Sequence, residues 1–183
     1  MRLRKNMNIE TTRLRLRYFQ EKDAENLFAY LSCPTVNCFV PDAIETIEQA
    51  LELIRKRRQS KDYIAVCIKD SDELIGELFF IPEEDSYSVG WNFNADYHGQ
   101  GYASESVRRF YDYLFHELNI RRIFAYVEVD NLPSQRLLER LGMRQEGCFK
   151  EFISFVNYPD GTPKYEDTLQ YAILKKEWLL QQQ

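Results

Sequence analysis

Two glycines one residue apart stand at the start of a predicted amphipathic helix. Residues 99–104 read GQGYAS, and Val107, Phe110 and Leu114 follow at helical spacing. Glycine has no Cβ to keep a ligand away from the backbone, and the first turn of a helix offers N–H donors and a partial positive charge. The pattern therefore predicts a site for an anion such as a phosphate. An isolated pair of glycines also occurs in ordinary turns, so the interpretation depends on the surrounding sequence.

Two common phosphate-binding motifs do not fit this segment. A dinucleotide-binding loop has the pattern G-x-G-x-x-G in a parallel sheet, whereas Ser104 takes the position of the third glycine here. The strands before the loop also predict an antiparallel meander. A P-loop requires GK followed by Ser or Thr, whereas this chain has GYAS.

Three carboxylates lie among apolar strand residues and are candidate proton acceptors. They are Glu77, Glu128 and Glu151. Burial against an apolar face raises the pKa of a carboxyl group, which suits a base that works near neutral pH. Each of the three could equally be paired with an arginine on an edge strand. The sequence leaves both interpretations open.

The cysteines and histidines form neither a disulfide framework nor a metal-binding pattern. The four cysteines include no CxxC pair and mostly lie in apolar segments, so we expect small buried residues of a reducing compartment. They are Cys33, Cys38, Cys67 and Cys148. The two histidines, His98 and His116, have no His or Cys at ligand spacing, so we expect no metal site.

Length and charge limit the classes of protein to consider. The 183 residues fit one domain, 1–183, with a core from about residue 9 to about residue 178. The net charge of −5 argues against nucleic-acid binding, which normally requires a basic excess. The sequence has no signal-peptide core and no stretch of the roughly 20 apolar residues that a membrane span needs. We expect a cytoplasmic protein without a membrane partner.

Hydrophobic periodicity predicts seven strands and four helices, in the order βααβββαβαββ. The fourth strand, 86–94, precedes the glycine loop, and the fifth strand, 121–129, follows the helix that the loop opens. Asn131 is the predicted N-cap of the last helix, which Gly142 ends. The predicted class is a mixed α and β fold, with strands and helices in one domain.

Three linked motifs resemble the GCN5-related N-acetyltransferase (GNAT) family. Its acetyl-CoA loop, [QR]-x-x-G-x-[GA], falls on HGQGYA, with His98 where Gln or Arg is commonest. The branch similar to ribosomal-protein serine and alanine N-terminal acetyltransferases also has N-x-x-S before a leucine-rich helix that ends in G-[FM], here NLPSQRLLERLGM. That branch ends on an aromatic strand and EW, here DTLQYAILKKEW. The likeness covers roughly Thr11 to Trp178.

The resemblance implies an α+β GNAT-like fold. Its twisted mixed sheet has about seven strands, splayed between strands four and five, together with about four helices. Acetyl-CoA is the implied cosubstrate. Its pantetheine would pair with the backbone of Phe93 and Asn94, and its pyrophosphate would bind the N–H groups of residues 100–104. Asn131 and Ser134 would face its sulfur atom. The implied cofactor-binding residues are Phe93, Asn94, His98, Gly99, Gln100, Gly101, Tyr102, Ala103, Ser104, Asn131 and Ser134.

The implied chemistry is direct attack of an amine on the thioester, without a covalent enzyme intermediate. Such a reaction needs an uncharged amine, an oxyanion donor and an acid for the thiolate. We expect the oxyanion donor to be the backbone N–H of Phe93 or Asn94. We expect the acid to be Ser134, although a serine in a first turn can instead cap the helix. Ser88 stands where many relatives have an acidic residue. We therefore rank Glu151 first as base, because some relatives use a carboxylate on this late strand, with Glu128, Glu77 or a water relay as alternatives.

The leading hypothesis is an N-acetyltransferase whose acceptor is a primary amine, either a protein N-terminal α-amine or a small amine. A non-catalytic acyl-CoA-binding or sensor module of the same fold, and a scaffold protein, are the alternatives. We expect the loops 32–43 and 156–167 to wall the acceptor cleft, with Tyr158 and Tyr165 available to contact an amine. Exposed strand edges would permit a homodimer.

Overall fold

The computed structural model describes residues 7–182 and contains eight strands and five α-helices in that range. The strands are β1 (Asn8–Glu10), β2 (Leu14–Arg17), β3 (Tyr63–Ile68), β4 (Leu74–Glu83), β5 (Ser86–Phe93), β6 (Arg122–Glu128), β7 (Arg144–Asn157) and β8 (Pro163–Leu174). The helices are α1 (Ala24–Leu31), α2 (Ile47–Ser60), α3 (Tyr102–Asp112), α4 (Leu132–Arg140) and α5 (Lys175–Leu180). A π-helical turn, Tyr113–Glu117, continues α3.

All eight strands belong to one mixed sheet, in the order β1-β2-β3-β4-β5-β6-β8-β7. β5 and β6 are parallel, whereas β1 with β2, β2 with β3, β3 with β4, β6 with β8, and β8 with β7 are antiparallel pairs. This confirms the predicted mixed α+β class. β1 and α5 are additions, and both are too short for hydrophobic periodicity to reveal.

The parallel pairing of β5 with β6 is short. It begins at Ser86 opposite Arg122 and ends at Ser88 opposite Phe124. Both strands continue beyond this point, β5 to Phe93 and β6 to Glu128. The end of the pairing agrees with the sheet opening predicted between these two strands.

The chain divides into two compact units. Unit 1 comprises residues 7–34, 42–79 and 91–110 of the described range, and unit 2 comprises residues 35–41, 80–90 and 111–182. The strands β4 and β5 and the helix α3 each have residues in both units. The expectation of a single domain over 1–183 stays a prediction.

Each unit has its own buried apolar centre. In unit 1, the fully buried core residues include Leu27 of α1, Ile54 of α2 and Phe19, which lies between β2 and α1. In unit 2, Trp178 of α5 is fully buried, and its ring centroid lies 5.6 Å from that of Tyr111. The aromatic residue of the terminal EW motif therefore anchors α5 in the core of unit 2.

The expectation that the cysteines are mostly buried is wrong. Cys67 is buried on β3, but Cys33 and Cys148 are exposed and Cys38 is half-buried. Cys148 lies on β7, which is an edge strand of the sheet, and Cys33 lies just after α1 ends, so neither apolar segment is enclosed. Within residues 7–182, none of the helices is long and apolar enough to cross a membrane.

Candidate active site

The glycine loop has the backbone geometry of an anion site. Gly99 and Gly101 have φ values of 74° and 81°, a left-handed conformation that residues with a Cβ rarely adopt. No atom lies within 4 Å of the position that a Cβ on Gly99 would take. The first backbone hydrogen bond of α3 is donated by Glu105 N–H to Gly101 C=O at 3.0 Å. The N–H groups of Gly101, Tyr102 and Ala103 therefore have no acceptor within the helix.

An arginine immediately before β2 supports this loop inside unit 1. Arg13 donates to the Gln100 carbonyl at 3.0 Å, and its guanidinium lies 4.4 Å from the centre of the Tyr102 ring. The same side chain forms an ion pair of 2.7 Å with Glu105, which also accepts a 2.6 Å hydrogen bond from Thr11. Burial opposes ionisation of Glu105, but these hydrogen bonds outweigh it and lower the pKa of that carboxyl.

Sequence reasoning missed Arg13 and Glu105. They are 92 residues apart in the chain, and neither belongs to a motif that predicts phosphate binding. Arg13 lies between β1 and β2 in the chain, and only the folded chain shows that it contacts the loop. Because Glu105 is neutralised by Arg13, an acidic residue in the first turn of α3 is compatible with an anion nearby.

The residues before the loop are already hydrogen-bonded. Asn94 N–H donates to Ile75 C=O at 2.9 Å, and the Asn94 side chain accepts from Asp96 N–H at 3.0 Å. Phe93 C=O accepts a hydrogen bond from His98 Nε2 at 3.1 Å. Of the two backbone N–H groups expected to bind the oxyanion, that of Asn94 is therefore already hydrogen-bonded to Ile75. His98 is an exposed residue that helps to hold the chain before the loop.

In unit 2, two polar side chains at the start of α4 have different roles. Asn131 caps the helix, because its side-chain oxygen accepts from Ser134 N–H at 3.2 Å. This confirms the predicted N-cap. Ser134 is half-buried at the third helical position. The capping function belongs to Asn131, so the Ser134 hydroxyl is not needed for it.

The three candidate carboxylates have different surroundings. Glu77 is buried in unit 1, and its carboxylate lies 2.5 Å from Nη1 of Arg57, which is also buried. Burial raises the pKa of Glu77 to about 7, against the lowering effect of Arg57. The buried ion pair between a strand and α2 gives Glu77 a role in the core of unit 1.

Glu151 lies on the solvent-exposed edge strand β7. It is exposed, its φ is 45°, and the pairing of β7 with β8 shifts register between Phe149 and Ile153. Its N–H donates to Asp167 at 2.9 Å, and Lys150 forms an ion pair with the same carboxylate. The desolvation that made Glu151 one of the three candidates is absent at this position.

Glu128 is buried at the end of β6 in unit 2. Glu128 is 6% exposed, and it lies opposite Thr168 on the neighbouring strand β8. The loop before α2 lies against this region: Asn37 donates to Glu166 at 2.7 Å, and burial, Glu128 and Glu166 together raise the pKa of the Cys38 thiol above its usual range. The predicted acceptor loop 32–43 therefore contacts two carboxylates of unit 2.

Residues 7–182 bring no group of three or more His, Cys, Asp or Glu side chains together as a metal site.

Comparison with known proteins identifies the family. A family model described as an acetyltransferase (GNAT) domain matches residues 13–144. The chain belongs to the GNAT acetyltransferase family. A curated relative from Bacillus subtilis (strain 168), the uncharacterized N-acetyltransferase YnaD, is 37% identical over 175 residues, which cover 94% of this chain and 99% of the relative. The resemblance seen in the sequence motifs is confirmed.

Solved structures support the same assignment. This GNAT chain matches a GNAT-family acetyltransferase from Bacillus anthracis with a TM-score of 0.84 and 34% identity, covering 93% of this chain and 100% of the other. It shares its fold with RimL, a ribosomal L7/L12 alpha-N-protein acetyltransferase solved in complex with coenzyme A. That match has a TM-score of 0.72 and 22% identity, and covers 92% of this chain and 98% of RimL. The chain is an acetyl-transferring enzyme of a family that uses acetyl-CoA.

Proposed function

We propose that this enzyme moves the acetyl group of acetyl-CoA directly to a primary amine, either a protein N-terminal α-amine or the amine of a small molecule. The observation behind the proposal is the pair of left-handed glycines, Gly99 and Gly101, at the start of α3. They leave backbone N–H groups and the positive end of the helix open to an anion, and they occupy the acetyl-CoA motif of the family.

The cofactor contacts fall into two groups of residues. In unit 1, the N–H groups of residues 100–104 bind the pyrophosphate, with His98 and Gly99 shaping the loop and Phe93 and Asn94 beside the pantetheine. In unit 2, Asn131 and Ser134 face the sulfur end. When bound, acetyl-CoA supplies an acetyl group activated as a thioester.

The proton transfers are assigned to two side chains of unit 2. Glu128 removes a proton from the acceptor ammonium, because among the candidates Glu77, Glu128 and Glu151 it is the one that is buried and has no arginine partner within the described residues. The Ser134 hydroxyl donates a proton to the departing thiolate. Phe93 N–H is the remaining backbone donor for the oxyanion. Glu151 is the alternative base.

Thiol release from acetyl-CoA tests the function. The purified chain is incubated with acetyl-CoA and a panel of amines: peptides with N-terminal Ser or Ala, polyamines, amino acids and aminoglycosides. We expect release of free CoA that depends on one class of amine, with the acetylated amine detected by mass spectrometry. Absence of acetylated product across the panel, from a folded protein that binds acetyl-CoA, would contradict the proposed function.

The same assay distinguishes the two candidate bases. With the best acceptor, Glu128→Gln should lower kcat/KM by roughly 10²-fold or more and remove the acidic limb of its pH profile, since that limb reports protonation of the base in the free enzyme. Glu151→Gln should keep both the limb and most of the activity, because Glu151 is exposed. The reverse result would return the role to Glu151.

A further inference from the structure

Three polar residues share one face of the sheet in unit 2. Glu128 of β6 lies directly opposite Thr168 of β8, so the two side chains point to the same side. Glu166 is two residues from Thr168 on the same strand and therefore shares that face. All three are buried, with exposed fractions of 6% for Glu128, 3% for Thr168 and 8% for Glu166.

The partners of these residues use only part of their hydrogen-bonding capacity. Asn37 donates to Oε1 of Glu166 at 2.7 Å, and Lys164 Nζ lies 3.5 Å from the same oxygen. The carboxylates of Glu128 and Glu166 both help to raise the pKa of the Cys38 thiol. In the part of the chain that the structure describes, Oε2 of Glu166 and Oγ1 of Thr168 are buried and have no hydrogen-bond partner.

Two unused acceptors in a buried site favour a donor-rich ligand. A buried carboxylate oxygen without a donor costs free energy, and an ammonium group supplies three N–H donors and a positive charge in one small group. An anion would be repelled by the two carboxylates, and Lys164 neutralises only one of them. Charge and hydrogen bonding therefore both select a cationic amine.

An exposed aromatic surface adjoins this polar face. Tyr126, two residues before Glu128 on β6, shares its side of the sheet, and its ring lies 6.1 Å from that of Phe149 and 5.7 Å from that of Phe152. All three rings belong to exposed residues of unit 2. Such a surface can cover aliphatic carbons and attract cations through its ring faces.

We propose that Glu166 and Thr168 form a subsite for a second ammonium group of the acceptor, beside the Glu128 carboxylate that serves the reacting amine. This rests on the proposed function and narrows its acceptor to short aliphatic diamines and polyamines. Along β8, Glu166 lies two residues, about 7 Å, from the position opposite Glu128, a separation that a short diamine spans. A peptide α-amine, with one positive charge at its terminus, leaves the Glu166 subsite unfilled.

The test compares two acceptors that differ by one ammonium group, putrescine and butylamine. In the wild type, kcat/KM for putrescine should exceed that for butylamine by at least about tenfold, as expected for a charge-assisted hydrogen bond in a buried site. Glu166→Gln should bring the ratio close to one, because it removes the carboxylate that binds the second ammonium group of putrescine. Thr168→Val should reduce the ratio less, because it removes a neutral acceptor.

Glu84→Gln is the matched control. It makes the same change of charge at an exposed residue of unit 2, between β4 and β5, and should leave the putrescine preference unchanged. Thermal unfolding followed by circular dichroism confirms that each variant is folded, and Thr168→Val provides the comparison if Glu166→Gln fails to fold. A wild-type ratio near one, an unchanged ratio in Glu166→Gln, or preference for peptides with N-terminal Ser or Ala would overturn the proposal.

Calorimetric titration separates this inference from the proposed function. Putrescine and butylamine are titrated into the wild type and Glu166→Gln without acetyl-CoA. We expect putrescine to bind the wild type at least about tenfold more tightly than butylamine, and Glu166→Gln to lose this difference. If no amine is acetylated but the binding difference is found, the proposed function fails and the subsite stands. If butylamine binds equally well, the subsite is refuted whatever the activity.

Discussion

At the scale of single residues, a side chain that is already hydrogen-bonded within the chain has a structural role, and one that is not remains a candidate for catalysis. Asn131 and Ser134 are three residues apart in one motif, yet the Asn131 oxygen is used to cap α4 and Ser134 contributes its N–H to that cap. The sequence could predict the cap, because the preference for Asn at this position is local. It could not predict which of Glu77, Glu128 and Glu151 is buried, because burial depends on packing between distant segments, and the ranking of Glu151 first came from the family resemblance alone.

Replacing Ser134 by Ala tests its role as the acid for the thiolate. We expect kcat to fall by roughly 10²-fold, the usual range for a proton donor in the transition state, while KM for acetyl-CoA changes much less. Steady-state thiol release measures both constants. Because Asn131 provides the cap, Ser134→Ala should cost little stability, whereas the control Asn131→Ala should cost about 1 kcal/mol in urea unfolding. A normal kcat in Ser134→Ala would remove the residue from the mechanism.

At the scale of helices and strands, sequence patterns within one segment predicted the element, whereas the pairing between distant segments could not be predicted. The amphipathic spacing and the glycines predicted α3 and its loop, and alternation predicted seven of the eight strands. The register shifts in β7 and the left-handed Glu151 were not predictable, because they arise from pairing with β8 and no glycine marks the position. The support of the loop by Arg13 likewise depends on the placement of β2.

Replacing Gly101 by Val tests the loop that precedes α3. A β-branched residue at a φ of 81° strains the turn, and its side chain blocks close approach of a pyrophosphate to the backbone. The control is Gly161→Val, which places the same residue at a φ of 86° in the turn between β7 and β8. Each variant should lose about 1–2 kcal/mol of stability from the left-handed backbone.

Calorimetric titration with acetyl-CoA separates the two glycine variants. We expect Gly101→Val to lose at least about tenfold in affinity and Gly161→Val to retain the wild-type value, because only the first changes the proposed anion site. Wild-type affinity in a folded Gly101→Val protein would show that the pyrophosphate binds elsewhere.

On the scale of the whole molecule, a chain that divides into two compact units can still fold as one domain. Compactness describes where contacts concentrate, whereas a domain unfolds cooperatively. β4, β5 and α3 have residues in both units, so unfolding either unit would break elements that the other unit shares. We therefore expect one cooperative transition for the chain, as the sequence predicted. Its oligomeric state, including the predicted homodimer, is a separate question for sedimentation.

The two tryptophans make this testable, since Trp91 lies in unit 1 and Trp178 in unit 2. Trp91→Phe leaves a tryptophan only in unit 2, and Trp178→Phe leaves one only in unit 1. Trp178→Phe should be the less stable, because its side chain is fully buried and its Nε1 donates to Asp112 at 2.9 Å. The comparison is therefore made within each variant, between tryptophan fluorescence and far-UV circular dichroism in urea. Coincident midpoints in both variants are expected for one cooperative domain, whereas separate midpoints would mean that the two units unfold independently.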